Sequence, residues 1–70
     1  MFWWFERKGQ HVRVEVLEVN PQRFELRLID VGGMAHVEMF TDAKALARRQ
    51  GELQQLLRDD GWTGPHGWVM

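Results

Sequence analysis

The first forty residues alternate between apolar and polar side chains in four short runs. The runs are WWFER, HVRVEVLEV, RFELRLIDV and MAHVEMF, and the breaks between them carry Gly, Pro and Asn. Alternation with frequent β-branched residues is typical of strands, while Gly, Pro and Asn favour turns. The pattern predicts strands at about 2–7, 11–19, 23–31 and 34–40, joined as a four-stranded antiparallel meander.

The turn lengths predict which side chains share a face, because a slip of one residue moves every side chain to the opposite face. A two-residue turn at Gly32-Gly33 pairs Leu28 with Val37. A three-residue loop at 20–22 places Val14 opposite Leu28, and a two-residue turn is expected at the first hairpin. The predicted core face consists of Trp3, Phe5, Val12, Val14, Val16, Phe24, Leu26, Leu28, Ala35, Val37 and Met39.

Residues 42–59 carry the periodicity of an amphipathic helix. Thr41 or Asp42 can cap its start and Gly61 can end it. The apolar stripe, which is expected to cover the core face of the sheet, consists of Ala43, Leu46, Ala47, Gln50, Leu53 and Leu57. The prediction is an α+β fold with ββββα order in two layers, a single domain over residues 1–70 in which 60–70 form a loop.

The same register predicts an unusually apolar outer face, the face opposite the helix. Glu15, Arg27 and Glu38 are expected to line up across three strands, where alternating charges favour pairing. About half of the face is apolar, although a solvated sheet face is mostly polar. Scattered surface hydrophobes are one interpretation. The favoured one is a contact surface for a second copy or another protein, made by Trp4, Glu15, Leu17, Arg27, Ile29, Glu38 and Phe40.

Length and charge support an interaction module over a nucleic-acid binder. A core built from 70 residues without cysteine is small, so dimerisation would add stability. The formal net charge of −1, with both signs mixed along the chain, argues against strong binding to nucleic acid or to an anionic membrane. The alternative function is a nucleic-acid-binding module that uses the sheet face and helix edge, through Arg13, Arg27, Lys44 and Arg48.

The residue types needed for catalysis are scarce. The chain has no Ser, Tyr or Cys, so few side chains could act as the nucleophile in covalent catalysis. No enzymatic activity or cofactor is expected. His11, His36 and His66 lack the spacing of metal ligands, so no metal site is predicted. The opening MFWWF is shorter than the apolar part of a secretion signal, and no stretch approaches the ~20 apolar residues of a membrane span. A cytoplasmic location without membrane contact is therefore expected.

The second half of the chain, VEMFTDAKALARRQGELQQLLRDDGW, resembles the end of a WGR domain. In that family a strand runs into a Phe, followed by a capped helix that closes on Gly and an aromatic residue. The matching positions are Phe40, Ala43, Leu46, Leu53, Leu57, Gly61 and Trp62. The Trp-Gly-Arg motif is absent, so no binding residue is carried over, although the resemblance implies a link to nucleic-acid-dependent regulation. The ββββα order also resembles some single-stranded DNA-binding coactivators.

The terminal stretch DGWTGPHGW combines two tryptophans with three glycines and a proline. Because Gly61 is expected to end the helix, Trp62 is the first side chain beyond it. We expect Trp62 to close one end of the core beside Leu57 or Phe5. Trp68 has three interpretations: it completes this lid, joins the contact surface, or frays with the terminus.

Overall fold

The fold is a five-stranded antiparallel sheet with one helix on one of its faces. This computed structural model describes residues 1–69, and the side chains of residues 1–67. The elements are β1 (Phe2–Arg7), β2 (Gln10–Asn20), β3 (Arg23–Ile29), β4 (Ala35–Phe40), α1 (Ala43–Asp59) and β5 (Thr63–Val69). The strands lie in the order β4-β3-β2-β1-β5. The predicted α+β class and meander are therefore confirmed, with a fifth strand added beside β1.

The first two hairpins have the predicted registers. Lys8 and Gly9 turn between β1 and β2 with φ values of 50° and 77°, and positive φ at both central residues is the type I′ geometry that suits a two-residue hairpin. In the second connection the predicted three-residue loop at 20–22 is instead a two-residue turn, because Asn20 pairs with Arg23. A register shift between Glu18 and Asn20 adds the one-residue offset that the longer loop would have supplied, so the predicted register is kept. Val14 consequently lies opposite Leu28.

The third hairpin differs from the prediction by one residue. The ladder between β3 and β4 ends at Ile29 opposite Ala35, so the connection is longer than the predicted Gly32-Gly33 turn. The cause is Asp30, whose carboxylate accepts a hydrogen bond from the Met34 N–H at 3.0 Å, while its own N–H donates to the Met34 carbonyl at 3.0 Å. Gly33 completes the loop with a φ of 84°.

This slip turns β4 over. Ala35, Val37 and Met39, which were predicted in the core, lie on the outer face and are exposed. Glu38 and Phe40, which were predicted on the outer face, lie on the helix side of the sheet. Phe40 fills part of the space that the sequence pattern assigned to Met39, since it packs against the buried core.

The core lies between the sheet and the helix. Its buried members are Trp3, Phe5, Val12, Val14, Leu26, Leu46, Leu53 and Trp62. The partly buried side chains packed against them are Val16, Phe24, Leu28, Phe40 and Leu57. The helical stripe is narrower than predicted, because Ala43 and Ala47 are exposed.

Both helix ends form as the sequence predicts. Asp42 caps the start by accepting a hydrogen bond from the Lys44 N–H at 3.0 Å. At the other end, the N–H groups of Gly61 and Trp62 donate to the carbonyls of Arg58 and Leu57 at 3.0 Å and 2.9 Å, the bond pattern of a Schellman motif. The Trp62 side chain is only 6% exposed. The prediction that Trp62 closes the core is thus confirmed.

The predicted C-terminal loop is wrong for most of its length, because β5 pairs with β1. Trp4 lies opposite His66 and Glu6 opposite Thr63, with register shifts along the pair. The pairing is close: a Cβ at Gly67 would lie 1.7 Å from the Trp4 ring. Glycine at this position lets the indole lie over the backbone of β5. The side chain of Trp68 lies outside the described part of the chain.

Candidate interaction surface

The centre of the outer face is a group of four charged side chains with alternating signs, here named the charge quartet. β2 contributes Arg13 and Glu15, and β3 contributes Glu25 and Arg27. Arg27 contacts Glu25 at 2.9 Å, and Arg13 contacts Glu15 at 3.4 Å. Glu15 and Arg27 are also direct neighbours across the ladder. The quartet satisfies its own charges and leaves little net field at the surface.

One side of the quartet is aromatic and is covered by the chain itself. This aromatic flank consists of Phe2 and Trp4 on β1, and both are half-buried. The Arg13 guanidinium lies 4.5 Å from the centroid of the Phe2 ring, a cation–π geometry. Trp4 lies against Gly67 and is 6.3 Å from the His66 ring. A shallow depression of about 340 Å³ remains between Phe2, Trp4, His11 and Arg13.

The opposite side of the quartet is aliphatic and open. This aliphatic flank consists of Ile29 on β3 with Ala35, Val37 and Met39 on β4. Val37 and Met39 are each 50% exposed. Leu17, which is 38% exposed, lies in the same cross-strand row as Met39. The apolar area of the outer face is therefore concentrated at the β4 edge.

Five of the seven predicted interface residues lie on the outer face: Trp4, Glu15, Leu17, Arg27 and Ile29. Glu38 and Phe40 do not. The Glu38 carboxylate accepts hydrogen bonds from Arg49 Nε of the helix at 3.1 Å. The predicted row of three charges therefore ends in Val37, which lies opposite Arg27.

The sequence interpretation missed Val37 and Met39 as outer-face residues. The signal that could have identified them is Asp30, just before Val31-Gly32-Gly33. Asp side chains accept hydrogen bonds from backbone N–H groups a few residues on, which stabilises loops longer than two residues. A loop closed by Asp30 shifts the register between β3 and β4 by one residue and so places Val37 and Met39 on the outer face.

The four candidate nucleic-acid contacts lie on two opposite layers. Arg13 and Arg27 lie on the outer face, where each is paired with a glutamate. Lys44 and Arg48 are exposed on the helix, which covers the other face. The two pairs of cations therefore lie on opposite sides of the domain.

The histidines are also distributed over different parts of the molecule. His11 lies opposite Glu6 on the outer face, whereas His36 lies on the helix side and contacts Asp30 at 3.1 Å. The hydrogen bond from His36, followed by the one from the Met34 N–H, lowers the pKa of Asp30. Within residues 1–69, no three His, Asp or Glu side chains are grouped as metal ligands.

A polar groove of about 890 Å³ lies at the end of the sheet, near the first hairpin and the helix C-terminus. Two of the charged residues that line it, Arg7 and Asp60, are bound to each other. Arg7 Nη1 donates to the Asp60 carbonyl at 2.7 Å and to its carboxylate at 2.8 Å. The Arg7 guanidinium also lies 4.7 Å from the centroid of the Trp62 ring. This arrangement attaches β1 to the helix end, where a cation is favourable for the helix dipole.

In comparisons with known proteins, no protein-family model, curated protein or solved structure matches the chain. The resemblance to WGR domains stays a prediction. As for membranes, the helix in the described part of the chain is too short and too polar to cross a bilayer.

Proposed function

We propose that this chain is a non-catalytic contact module that binds a protein partner through its outer sheet face. The observation that carries the proposal is the aliphatic flank, whose Val37 and Met39 are each 50% exposed while the helix covers the opposite face. Exposed apolar groups that lie together beside polar ones are typical of protein-binding surfaces. The cysteine-free sequence favours a reducing compartment, so the cytoplasm is the proposed location.

The electrostatics of the outer face support a protein partner over nucleic acid. Each arginine of the charge quartet is paired with a glutamate, so phosphate groups would meet carboxylates as well as guanidinium groups. Affinity for nucleic acid depends mainly on cations that neutralise phosphates. A protein surface can instead cover the aliphatic flank with its own apolar side chains and use the quartet for orientation.

Site-specific photo-crosslinking in cells tests the proposal. A benzophenone side chain at position 17 reports contacts of the outer face, and the same group at position 56 is a matched control on the exposed helix surface, where Leu56 is 58% exposed. We expect a reproducible protein adduct from position 17 only, identified by mass spectrometry. Introducing Ile29→Glu should remove that adduct, because a charge would then lie within the aliphatic flank.

Two results would contradict the proposal. One is equal adduct formation from positions 17 and 56, since it would show that the outer face is not preferred. The other is an adduct from position 17 that persists unchanged in Ile29→Glu. For the nucleic-acid alternative, a fluorescent oligonucleotide is the probe, and salt-sensitive binding that is lost in Arg27→Gln would favour it.

A further inference from the structure

We infer that two copies of this chain pair through the free edge of β4, antiparallel and across a two-fold axis at Val37, to form one continuous sheet. The inference rests on the proposed function, because it identifies a second copy as one partner of the surface. It concerns the backbone edge of β4, however, and is separable from binding at the outer face.

The hydrogen-bond alternation of the sheet shows which backbone groups of β4 are available. The Asp30 N–H donates to the Met34 carbonyl at 3.0 Å, so Asp30 and Met34 occupy a hydrogen-bonded position of the ladder, in which the Asp30 carboxylate accepts the return bond from the Met34 N–H. In an antiparallel ladder such pairs alternate with non-hydrogen-bonded pairs. The even-numbered residues of β4, such as His36 and Glu38, therefore bond to β3. The N–H and C=O groups of Ala35, Val37 and Met39 point away from the sheet.

This edge lacks most of the features that usually prevent strand addition; its acidic side chain, Glu38, points to the helix side and is paired there with Arg49. Proteins protect edge strands with proline, lysine, bulges or a covering segment. β4 reads AHVEMF, which contains neither proline nor lysine, and its pairing with β3 runs without a register shift. Ala35, Val37 and Met39 are all exposed, and no other strand in residues 1–69 lies beyond them. The edge is regular and apolar on one side, which suits addition of another strand.

The register follows from charge and parity. Only residues with outward-pointing backbone groups can face each other across the new ladder, so Val37 pairs either with itself or with Ala35 or Met39. When Val37 pairs with itself, His36 lies opposite Glu38 of the second copy on the helix side. The register that pairs Val37 with Met39 places Glu38 opposite Glu38, and like charges in direct opposition are unfavourable. The register that pairs Val37 with Ala35 places His36 opposite His36 and loses the polar pairing of His36 with Glu38. The self-paired register is therefore the favoured one.

Pairing in this register has a consequence for the outer face. Val37 of one copy lies beside Val37 of the second copy, and each Ala35 lies opposite a Met39. The two aliphatic flanks then form one uninterrupted apolar surface across the axis. A two-fold partner would meet this surface at its centre, with a charge quartet on each side.

Cysteine cross-linking tests the register, and the chain has no native cysteine to interfere. Directly opposed residues of a hydrogen-bonded pair have Cα atoms about 5.5 Å apart, within the range of a disulfide. Val37→Cys should form a disulfide-linked dimer under mild oxidation. Ala35→Cys alone and Met39→Cys alone should not, but an equimolar mixture of the two should cross-link. Leu56→Cys, on the exposed helix surface, is the control for random collision.

Several outcomes would overturn the inference. The inference is wrong if Val37→Cys forms disulfides no faster than Leu56→Cys. It is also wrong if a mixture of Val37→Cys and Met39→Cys forms disulfides faster than Val37→Cys alone. A second variant tests the pairing without relying on disulfide formation, whose geometry could be unfavourable at these positions. Val37→Pro removes an N–H that points away from β3, so it should keep the fold but convert the wild-type dimer to a monomer in sedimentation velocity. A wild-type protein that sediments as a monomer at millimolar concentration would also contradict the inference.

The experiment separates failure of this inference from failure of the proposed function. In the disulfide test, Leu17→Glu is added to the Val37→Cys chain, where it changes the outer face two strands away from β4. The disulfide should still form. In the separate photo-crosslinking test, Ile29→Glu should remove the adduct at the outer face. Loss of cross-linking at the edge with a persistent outer-face adduct would leave the proposed function intact.

Discussion

The two edges of the sheet are built in opposite ways. The β5 edge is irregular, with Pro65, two register shifts against β1 and two glycines at positive φ. The β4 edge is a regular strand of six residues that pairs with β3 without a bulge and ends two residues before the helix cap. Irregularity and proline discourage further pairing, whereas a regular strand invites it. The sheet is therefore closed at one edge and open at the other.

The difference also extends to the side chains beside each edge. Next to β5, Trp4 lies on Gly67 and Trp62 lies in the core, so large apolar groups are buried within the chain. Beside β4, Val37 and Met39 are left half-exposed. A small core gains most from the aromatics, since each buries roughly 150–250 Å². Buried aromatic area is therefore concentrated on the β5 side, and exposed aliphatic area on the β4 side.

Removing Trp62 should produce the largest loss of stability. Trp62→Ala is expected to lower the free energy of unfolding by roughly 3–5 kcal/mol, because it leaves a cavity beside Phe5 and Leu57. Leu56→Ala is the matched control, and its change should stay within about 0.5 kcal/mol because Leu56 is exposed. Urea denaturation monitored by circular dichroism measures both. Equal effects of the two substitutions would refute the assignment of Trp62 to the core.

Two glycine substitutions compare the two sides of the sheet directly. Gly67 and Gly33 both have positive φ, but a Cβ at Gly67 would overlap the Trp4 ring, whereas a Cβ at Gly33 meets no atom within 4 Å. Gly33→Ala should cost about 1–2 kcal/mol from its backbone conformation alone. Gly67→Ala should cost a further 1–3 kcal/mol or so, because Trp4 must move. Thermal melting of both variants checks this, and equal costs would contradict the close packing of β5 on β1.

The smallest expected effect concerns pH and the loop before β4. Since the pKa of Asp30 is lowered in the folded chain, ionised Asp30 stabilises the fold above the unfolded pKa of about 3.9. That contribution should be lost as the pH falls from about 4 through the lower, folded pKa. Asp30→Asn should therefore lose less stability than the wild type between about pH 6 and pH 2.5. His36→Ala should also reduce the loss of stability at low pH, because it removes a partner of ionised Asp30. Identical pH profiles in the wild type and both variants would contradict the pairing of Asp30 with His36.

Sequence reasoning succeeded where local chemistry decides the structure. The two-residue turn at Lys8-Gly9 permits only one register between β1 and β2. The helix end at Gly61 and Trp62 is likewise recognisable from the sequence alone. The orientation of β4 was wrong because it depends on whether Asp30 accepts bonds from the following loop. Val-Gly-Gly permits either a short or a longer turn, and alternation in MAHVEMF fits both registers.

β5 could not be predicted for a different reason. Thr63-Gly64-Pro65-His66-Gly67 has neither alternation nor β-branched residues beyond its first position. Its strand geometry depends on tertiary pairing with β1, where the missing side chain of Gly67 makes room for Trp4. The reversed orientation of β4, by contrast, is why Ala35, Val37 and Met39 were assigned to the core, whereas Trp4, Leu17 and Ile29 were placed correctly on the outer face.

Amide hydrogen exchange along β4 tests the open edge most directly. At low protein concentration the amides of Ala35, Val37 and Met39 should exchange quickly, while those of His36 and Glu38 should be protected by β3. Raising the concentration should slow the first group selectively, because a second copy then accepts their hydrogen bonds, and Val37→Pro should abolish this dependence. Exchange of Ala35, Val37 and Met39 that is fast and identical at every concentration would contradict the account.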